Sequence, residues 1–300
     1  MLFTPVKPML LHMGNNNEIV DSDEWIYDIK WDGWRILLHK DKDRIEAFTR
    51  HGNNVTAKFP ELQIIAKSIK ADKAIIDCEG VVLRNGVSVF DDFNYRGRLS
   101  NKHKINQAAI THPATFIAFD VLTTDKSFMN KPLIERKDIL NSIIEPSNEL
   151  LITPSVVGNG SNVFNITKDK GMEGVVGKRT NSTYKTNHRS HDWLKFKHFK
   201  YMDVVILGYK ENPFTMIVGI KLSNGKYRPV ASVEFGFKHE EKAAFREIAK
   251  QIVTNVERDV TWLEPMIHCK VQYLEKTASG SLRIVSFKGF NFDKVPVESI

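Results

Sequence analysis

In the first two hundred residues, apolar positions cluster with β-branched and aromatic neighbours in six short runs: WIYDIK (25–30), RILLHKD (35–41), RIEAFTR (44–50), AIIDCEGVVL (74–83), TFIAFDVL (115–122) and EGVVGK (173–178). Such runs predict strands. In FPELQIIAKSIK and IERKDILNSIIE the apolar residues instead recur three and four apart, each with a proline signal, Pro60 or Pro132. That period predicts amphipathic helices. Strands outnumber helices, and the close neighbours within 35–50 read as a hairpin, so the expected class is α+β with antiparallel sheets.

Past Lys200 the texture changes. DVVILGYK, TMIVGIKLS and YRPVASVEF are strand-like and separated by Asn-Pro and Asn-Gly-Lys loops; EEKAAFREIAKQIVTNV has helical periodicity throughout; MIHCKVQYLE and LRIVSFKGF supply two more strands. Five strands and one helix in about a hundred residues fit a small barrel such as an OB-fold, with another small β-barrel as the alternative. The expected domains are therefore 1–200 and 201–300, divided near KFKHFKYMD.

Composition narrows the function classes. No apolar run reaches the roughly 18 residues a membrane helix needs, and MLFTPVKPML lacks the basic-then-apolar order of a secretory signal, so an intracellular protein is expected. Cys78 and Cys269 stand far apart without metal-ligand spacing, which predicts core thiols rather than a disulfide or zinc framework. A net charge of +7 leans toward an anionic partner. Its distribution says more: residues 178–200 hold seven Lys or Arg and three His against Asp192 alone, interleaved with Tyr184, Trp193, Phe196 and Phe199. Basic residues among aromatics suit a phosphate-contacting surface, although a merely solvated basic face has the same composition.

The candidate chemistry begins in YDIKWDGWRI, where Lys30, Asp32, Gly33 and Arg35 crowd a strand-like segment. A lysine acts as a nucleophile only when burial or neighbouring cations disfavour its ammonium form, and Lys30 ends an apolar strand with Arg35 close by. Gly33 allows a tight turn and a close approach of backbone to ligand.

Lys30-Trp-Asp-Gly-Trp-Arg35 resembles the KxDGxR signature of the covalent nucleotidyltransferases, which comprise ATP-dependent DNA ligases, RNA ligases and messenger-RNA capping enzymes. Further elements resemble the family's motifs in the family's order: Thr49-Arg50-His51-Gly52, Asp77-Cys78-Glu79-Gly80, Phe119-Asp120, Glu173 through Lys178, and the Lys195-Phe-Lys197 pair. Each alone reads as ordinary surface or core; six in order do not. The ending Arg283 through Lys294 resembles the last DNA ligase motif but has Val285 where proline is usual and Asn291 where arginine is usual, and Asp28 stands where many relatives have glutamate. Covering nearly the whole chain, the resemblance is strongest to the ligase domain of bacterial end-joining ligases and to small bacterial or phage ligases.

The resemblance implies an adenylation domain followed by an OB-fold domain, with ATP and Mg2+ (or Mn2+) as cofactors and nicked duplex DNA as partner. Lys30 would take AMP from ATP and pass it to a 5′-phosphate; the 3′-hydroxyl would then displace AMP. Lys195 and Lys197, on one face of a strand, would neutralise the α-phosphate and keep Lys30 unprotonated. Glu79 would accept from the ribose, Phe119 would stack on adenine with a valine of 175–176, taken as Val175, on its other face, and Ile29 and Lys178 would complete the nucleotide site. Glu173 and Asp32 would hold the metal. Arg35 and Arg50 would contact ribose and phosphate, and Arg283 and Lys294 the pyrophosphate. DNA would be gripped by Arg35, Arg50, Arg96, Arg98, Arg179, Lys185 and Arg189, with no separate N-terminal DNA-binding domain and the two domains closing as a clamp. The further expectations are a monomer in the cytoplasm of a bacterium or phage-infected cell, and no membrane partner. An RNA ligase or capping guanylyltransferase shares the lysine motif, and a non-catalytic OB-containing nucleic-acid binder is the alternative from another class.

Overall fold

The structure, a computed structural model, describes residues 2–277 and 279–291, and the chain divides into two compact units, Met1–Lys197 and His198–Ile300. In the first unit two five-stranded sheets contain the six runs predicted above, joined by four strands outside those runs, Leu10–Met13, Leu150–Ile152, Ser155–Val157 and Arg189–Lys197. One has the order Leu10–Met13, Arg189–Lys197, Gly174–Arg179, Trp25–Ile29, Ser155–Val157; the other runs Arg44–Thr49, Trp34–Asp41, Lys73–Val81, Thr115–Thr123, Leu150–Ile152. Most neighbours are antiparallel; Leu10–Met13 against Arg189–Lys197, and Thr115–Thr123 against Leu150–Ile152, are parallel.

The second sheet is buried on both faces, which is why its sequence reads as continuous apolar runs rather than strict alternation. Ile36, Leu38, Ile76 and Cys78 pack under the helix Leu62–Ser68 through Leu62, Ile65 and Ala66. Leu37, Ile75 and Leu122 point the other way and meet Ile26 and Trp193 of the first sheet. The candidate site residues Arg35 and Glu79 stand an even number of positions from Leu37 and Ile75 on their strands and so lie on this inter-sheet face. Gly33 is required there by close approach: a Cβ would sit 2.1 Å from the Gly80 carbonyl oxygen. At Gly174 (φ +146°) a Cβ would sit 2.0 Å from the Phe196 carbonyl oxygen. These two glycines thus let backbones come together.

Three helices were not evident in the periodicity: Phe90–Arg98, Lys102–Thr111 and Gly160–Asp169. Their apolar stripes are short and interrupted by polar residues. Arg96, expected on DNA, is fully buried in the first of them. It donates to Glu61 from Nη1 (2.7 Å) and Nη2 (3.0 Å), with His112 O at 2.5 Å and Lys58 O at 3.4 Å. It is a structural cation, whereas Arg98 is exposed. Arg96→Met is therefore expected to cost about 3–5 kcal/mol by orphaning the Glu61 carboxylate. That lowers the melting temperature by roughly 10 °C in calorimetry. Affinity of the folded variant for nicked duplex, read by fluorescence polarisation, should stay at the wild-type value.

In the second unit the long strand Lys200–Glu211 pairs with Phe214–Lys221, Val260–Leu263 and His268–Tyr273, and Ser286–Asn291 closes against His268–Tyr273. The resulting curved half-barrel is OB-like. Its helix covers only His239–Ala249; the end of the segment predicted helical becomes the strand Val253–Glu257, paired with Val260–Leu263. The β-branched residues of VTNVE, followed by the turn at Arg258 (φ +56°), favour a hairpin over continued helix. Within this unit Arg283 is ion-paired with Glu275, and Asn291 donates to Asp203 at 2.9 Å. Lys294 lies outside the described residues. Among the described residues no helix is long and apolar enough to cross a membrane.

Candidate active site

Lys30 continues the strand Trp25–Ile29, its N–H donating to Gly174 O at 2.9 Å, and this pairing brings the motif lysine beside Glu173. Lys30 Nζ lies 2.7 Å from Glu173 Oε2, and Lys197 Nζ lies 2.5 Å from Glu173 Oε1. One buried carboxylate, 4% exposed, thus bridges the two lysines. The strand Arg189–Lys197 places Lys195 on the same face two residues away.

The expectation that Lys30 is held neutral is corrected by these neighbours. Burial alone would lower its pKa, but Glu173, Glu79 and Asp32 outweigh burial and raise it above the ordinary lysine value. Lys195 is shifted the other way, by burial first and then by Lys197, Lys30 and Arg189. Glu79, directly opposite Arg35 in the ladder, is pushed up to about 8 by burial, with Lys30 and Arg35 opposing. A carboxyl whose native pKa is raised contributes stability in acid that is lost as pH rises from the ordinary carboxylate range to about 8. Glu79→Gln does not titrate, so the variant should melt above wild type near pH 8 and the gap should close toward pH 5. A pH-independent difference in calorimetric melting would count against that assignment.

Two adjoining cavities meet at Lys30, Arg35, Glu79 and Leu11. The smaller, about 60 Å3, is bordered by Ile29, Trp31, Phe119, Val176, Lys178 and Trp193, with Asp28 in its wall. The larger, about 520 Å3, is bordered by Arg50, His51, Asn53, Arg189, Lys195 and Lys197. Apolar and aromatic walls in the first suit a base; the cations of the second suit phosphates.

Register corrects the expected valine. Val176 pairs with Asp28 and Lys195 and shares their face, whereas Val175 pairs with Ile29 and Phe196 and packs away from the cavity with Trp25 and Tyr27. Arg35 borders both cavities, but its fork is committed to Asp77 (Nε to Oδ1 2.9 Å, Nη2 to Oδ2 2.6 Å), and Nη1 donates to Met9 O at 2.6 Å. It braces the site and does not present that fork to DNA. Lys178 Nζ sits 4.4 Å from the ring centroids of both Phe119 and Trp193 and 2.6 Å from Asp28 Oδ2. Arg179 pairs with Glu24 over the Trp25 ring, while Lys185, Arg50 and Arg189 are exposed. Sequence reasoning missed Leu11 and Trp31 as walls, and expected Trp193 on a phosphate-contacting surface, whereas it is buried and borders the smaller cavity. The apolar run LLHM at 10–13 was the available signal for the first.

A divalent cation has hard oxygen donors here in Glu173 and, nearby, Asp32, whose N–H donates to Ser88 Oγ at 3.0 Å. Among the described residues no group of three or more metal-ligating side chains is assembled. Two carboxylates suit the chemistry of an ion such as Mg2+, which keeps several water and phosphate oxygens as ligands, although both Glu173 oxygens are held here by Lys30 and Lys197.

The sequence profile described as "ATP dependent DNA ligase domain" matches residues 8–197, the part of the chain that holds both cavities. The chain belongs to that family. This ligase is 34% identical over 286 residues to the SPbeta prophage-derived DNA ligase-like protein LigB of Bacillus subtilis (strain 168), covering 95% of this chain and 98% of that one. It is 33% identical to the bifunctional non-homologous end joining protein LigD of the same organism, covering 90% of this chain and 46% of that one. The ligase thus spans less than half of that end-joining protein. Among solved structures it is similar to the mycobacterial DNA ligase D complexed with ATP and MES, at 27% identity and TM-score 0.58, with 98% of each chain covered. As a member of its family the ligase is an enzyme that forms phosphodiester bonds, using ATP as substrate and a lysyl-AMP intermediate.

Proposed function

We propose that this chain seals nicks in duplex DNA with Lys30 as the adenylated residue. The supporting observation is the position of Lys30 Nζ, where the aromatic-walled and cation-lined cavities meet, held by the Glu173 carboxylate that also holds Lys197. The amine loses a proton and attacks the α-phosphorus of ATP; the bond to the bridging oxygen breaks and pyrophosphate leaves. An oxygen of the DNA 5′-phosphate then attacks the same phosphorus and frees Lys30. Finally the 3′-hydroxyl attacks the 5′-phosphate phosphorus, and AMP departs.

Phe119 and Val176 flank the base, Glu79 accepts from the ribose, and Lys195 and Lys197 oppose charge on the α-phosphate. Arg50, His51 and Arg189 line the larger cavity and take the DNA backbone, with exposed Arg98 and Lys185 as further contacts. Glu173 and Asp32 hold Mg2+, which when bound supplies positive charge to the phosphates. A cytoplasmic monomer belongs to the same reading. The deciding test offers purified protein, ATP and Mg2+ a nicked DNA duplex, and in parallel GTP with a 5′-diphosphate RNA. Sealing of the DNA nick without guanylate transfer is expected; guanylate transfer without sealing would replace this reading with that of a capping enzyme.

A further inference from the structure

Lys137 belongs to none of the recognised motifs, yet it is one of the most buried lysines of the first unit. It reaches from the helix Leu133–Ile143 to Asp28, with Nζ at 2.9 Å from Oδ1 and 3.1 Å from Oδ2, and donates to Ser155 Oγ at 2.8 Å. Ser155 in turn donates to Asp28 Oδ1 at 2.6 Å. Asp28 and Lys178 line the smaller cavity; Lys137 stands behind them. The nearby buried carboxylates are already matched, Asp120 with Arg136 and Asp77 with Arg35. One carboxylate therefore serves two ammonium groups, and the cluster has a surplus positive charge out of water.

We propose that Lys137 is a positioning residue for base choice: by pinning Asp28 from behind, it fixes the order in which the carboxylate and the Lys178 ammonium face the bound purine. That order matters chemically. Adenine presents an amino donor at position 6 and an acceptor at N1, whereas hypoxanthine and guanine present an acceptor at position 6 and a donor at N1. A mobile carboxylate–ammonium pair could match either edge by exchanging places; a pinned one matches one edge only. Without Lys137, the Lys178 ammonium would close onto both Asp28 oxygens and leave its place between Phe119 and Trp193. This inference rests on the reading that the base occupies the smaller cavity.

The test is self-adenylation of the full chain by ATP and by ITP, comparing wild type with Lys137→Met and Lys137→Arg. Lys137→Met is expected to raise KM for ATP about tenfold and to reduce the preference for ATP over ITP at least about fivefold, with a smaller effect on kcat. Lys137→Arg keeps the cation and should keep the preference. Should Lys137→Met not fold, Ser155→Ala, which removes a donor to Asp28, should shift the preference in the same direction. An unchanged preference, or equal losses with both nucleotides as a loosened fold would give, overturns the proposal. Failure of wild type to form any adenylate would instead overturn the reading of the site itself.

Discussion

Lys30→Ala is expected to take up no label from α-labelled ATP in the presence of Mg2+, while wild type stripped of bound AMP becomes covalently labelled. The side chain removed is the one proposed to supply the bond to phosphorus, and the other lysines of the larger cavity are placed differently: Lys195 and Lys197 lie two strands away in the sheet, beyond Gly174–Arg179, and Lys197 is tied to Glu173. The last step needs only a 5′-adenylated nick and its 3′-hydroxyl. The variant should therefore still seal a pre-adenylated nick within about tenfold of the wild-type rate, a difference near 1.4 kcal/mol. Covalent label on the variant would show that another residue is the nucleophile. Loss of both activities would show that the substitution disturbs the whole site.

Glu173→Gln should have an effect of comparable size on the first step. Its carboxylate is the common partner of Lys30 and Lys197, so the substitution leaves two ammonium groups facing a neutral amide in a buried setting. Single-turnover adenylation is expected to fall at least about 100-fold at its plateau through lost charge placement around the phosphates. The pH profile separates this from simple damage. In wild type the carboxylates of Glu173, Glu79 and Asp32 raise the Lys30 pKa, so the neutral amine gains population only as the solution becomes more alkaline. Removing one anion lowers that pKa, and the midpoint of the profile should move toward lower pH in the variant. A midpoint that stays where it was would deny Glu173 its hold on Lys30.

The charged residues of the candidate site were legible because phosphoryl transfer demands particular charges at short spacings: Lys30 with Arg35, Glu173 with Lys178, and Lys195 with Lys197 each lie within a few positions of one another. The longer inner strands were legible for a similar reason, since burial on both faces writes itself as continuous apolar runs, whereas Leu10–Met13, Leu150–Ile152 and Ser155–Val157 are too short to show such a run. What each charge is paired with was not. Lys30 meets Glu173 across 143 positions and Lys137 meets Asp28 across 109, and no local pattern encodes such partners. Burial of Arg96 was hidden likewise, because an arginine beside a tyrosine in a polar helix reads as surface until Glu61 is seen beneath it. The valine bordering the smaller cavity was missed by a single position, which in a strand exchanges one face for the other.

Trp31 donates from Nε1 to Thr153 Oγ1 at 3.1 Å and, with Trp193, forms part of the wall of the smaller cavity. Two of the chain's five indoles thus border the cavity proposed for the base. Intrinsic emission should therefore change on mixing with nucleotide, giving a dye-free optical titration of occupancy that can be followed in a stopped-flow instrument before any covalent bond has formed.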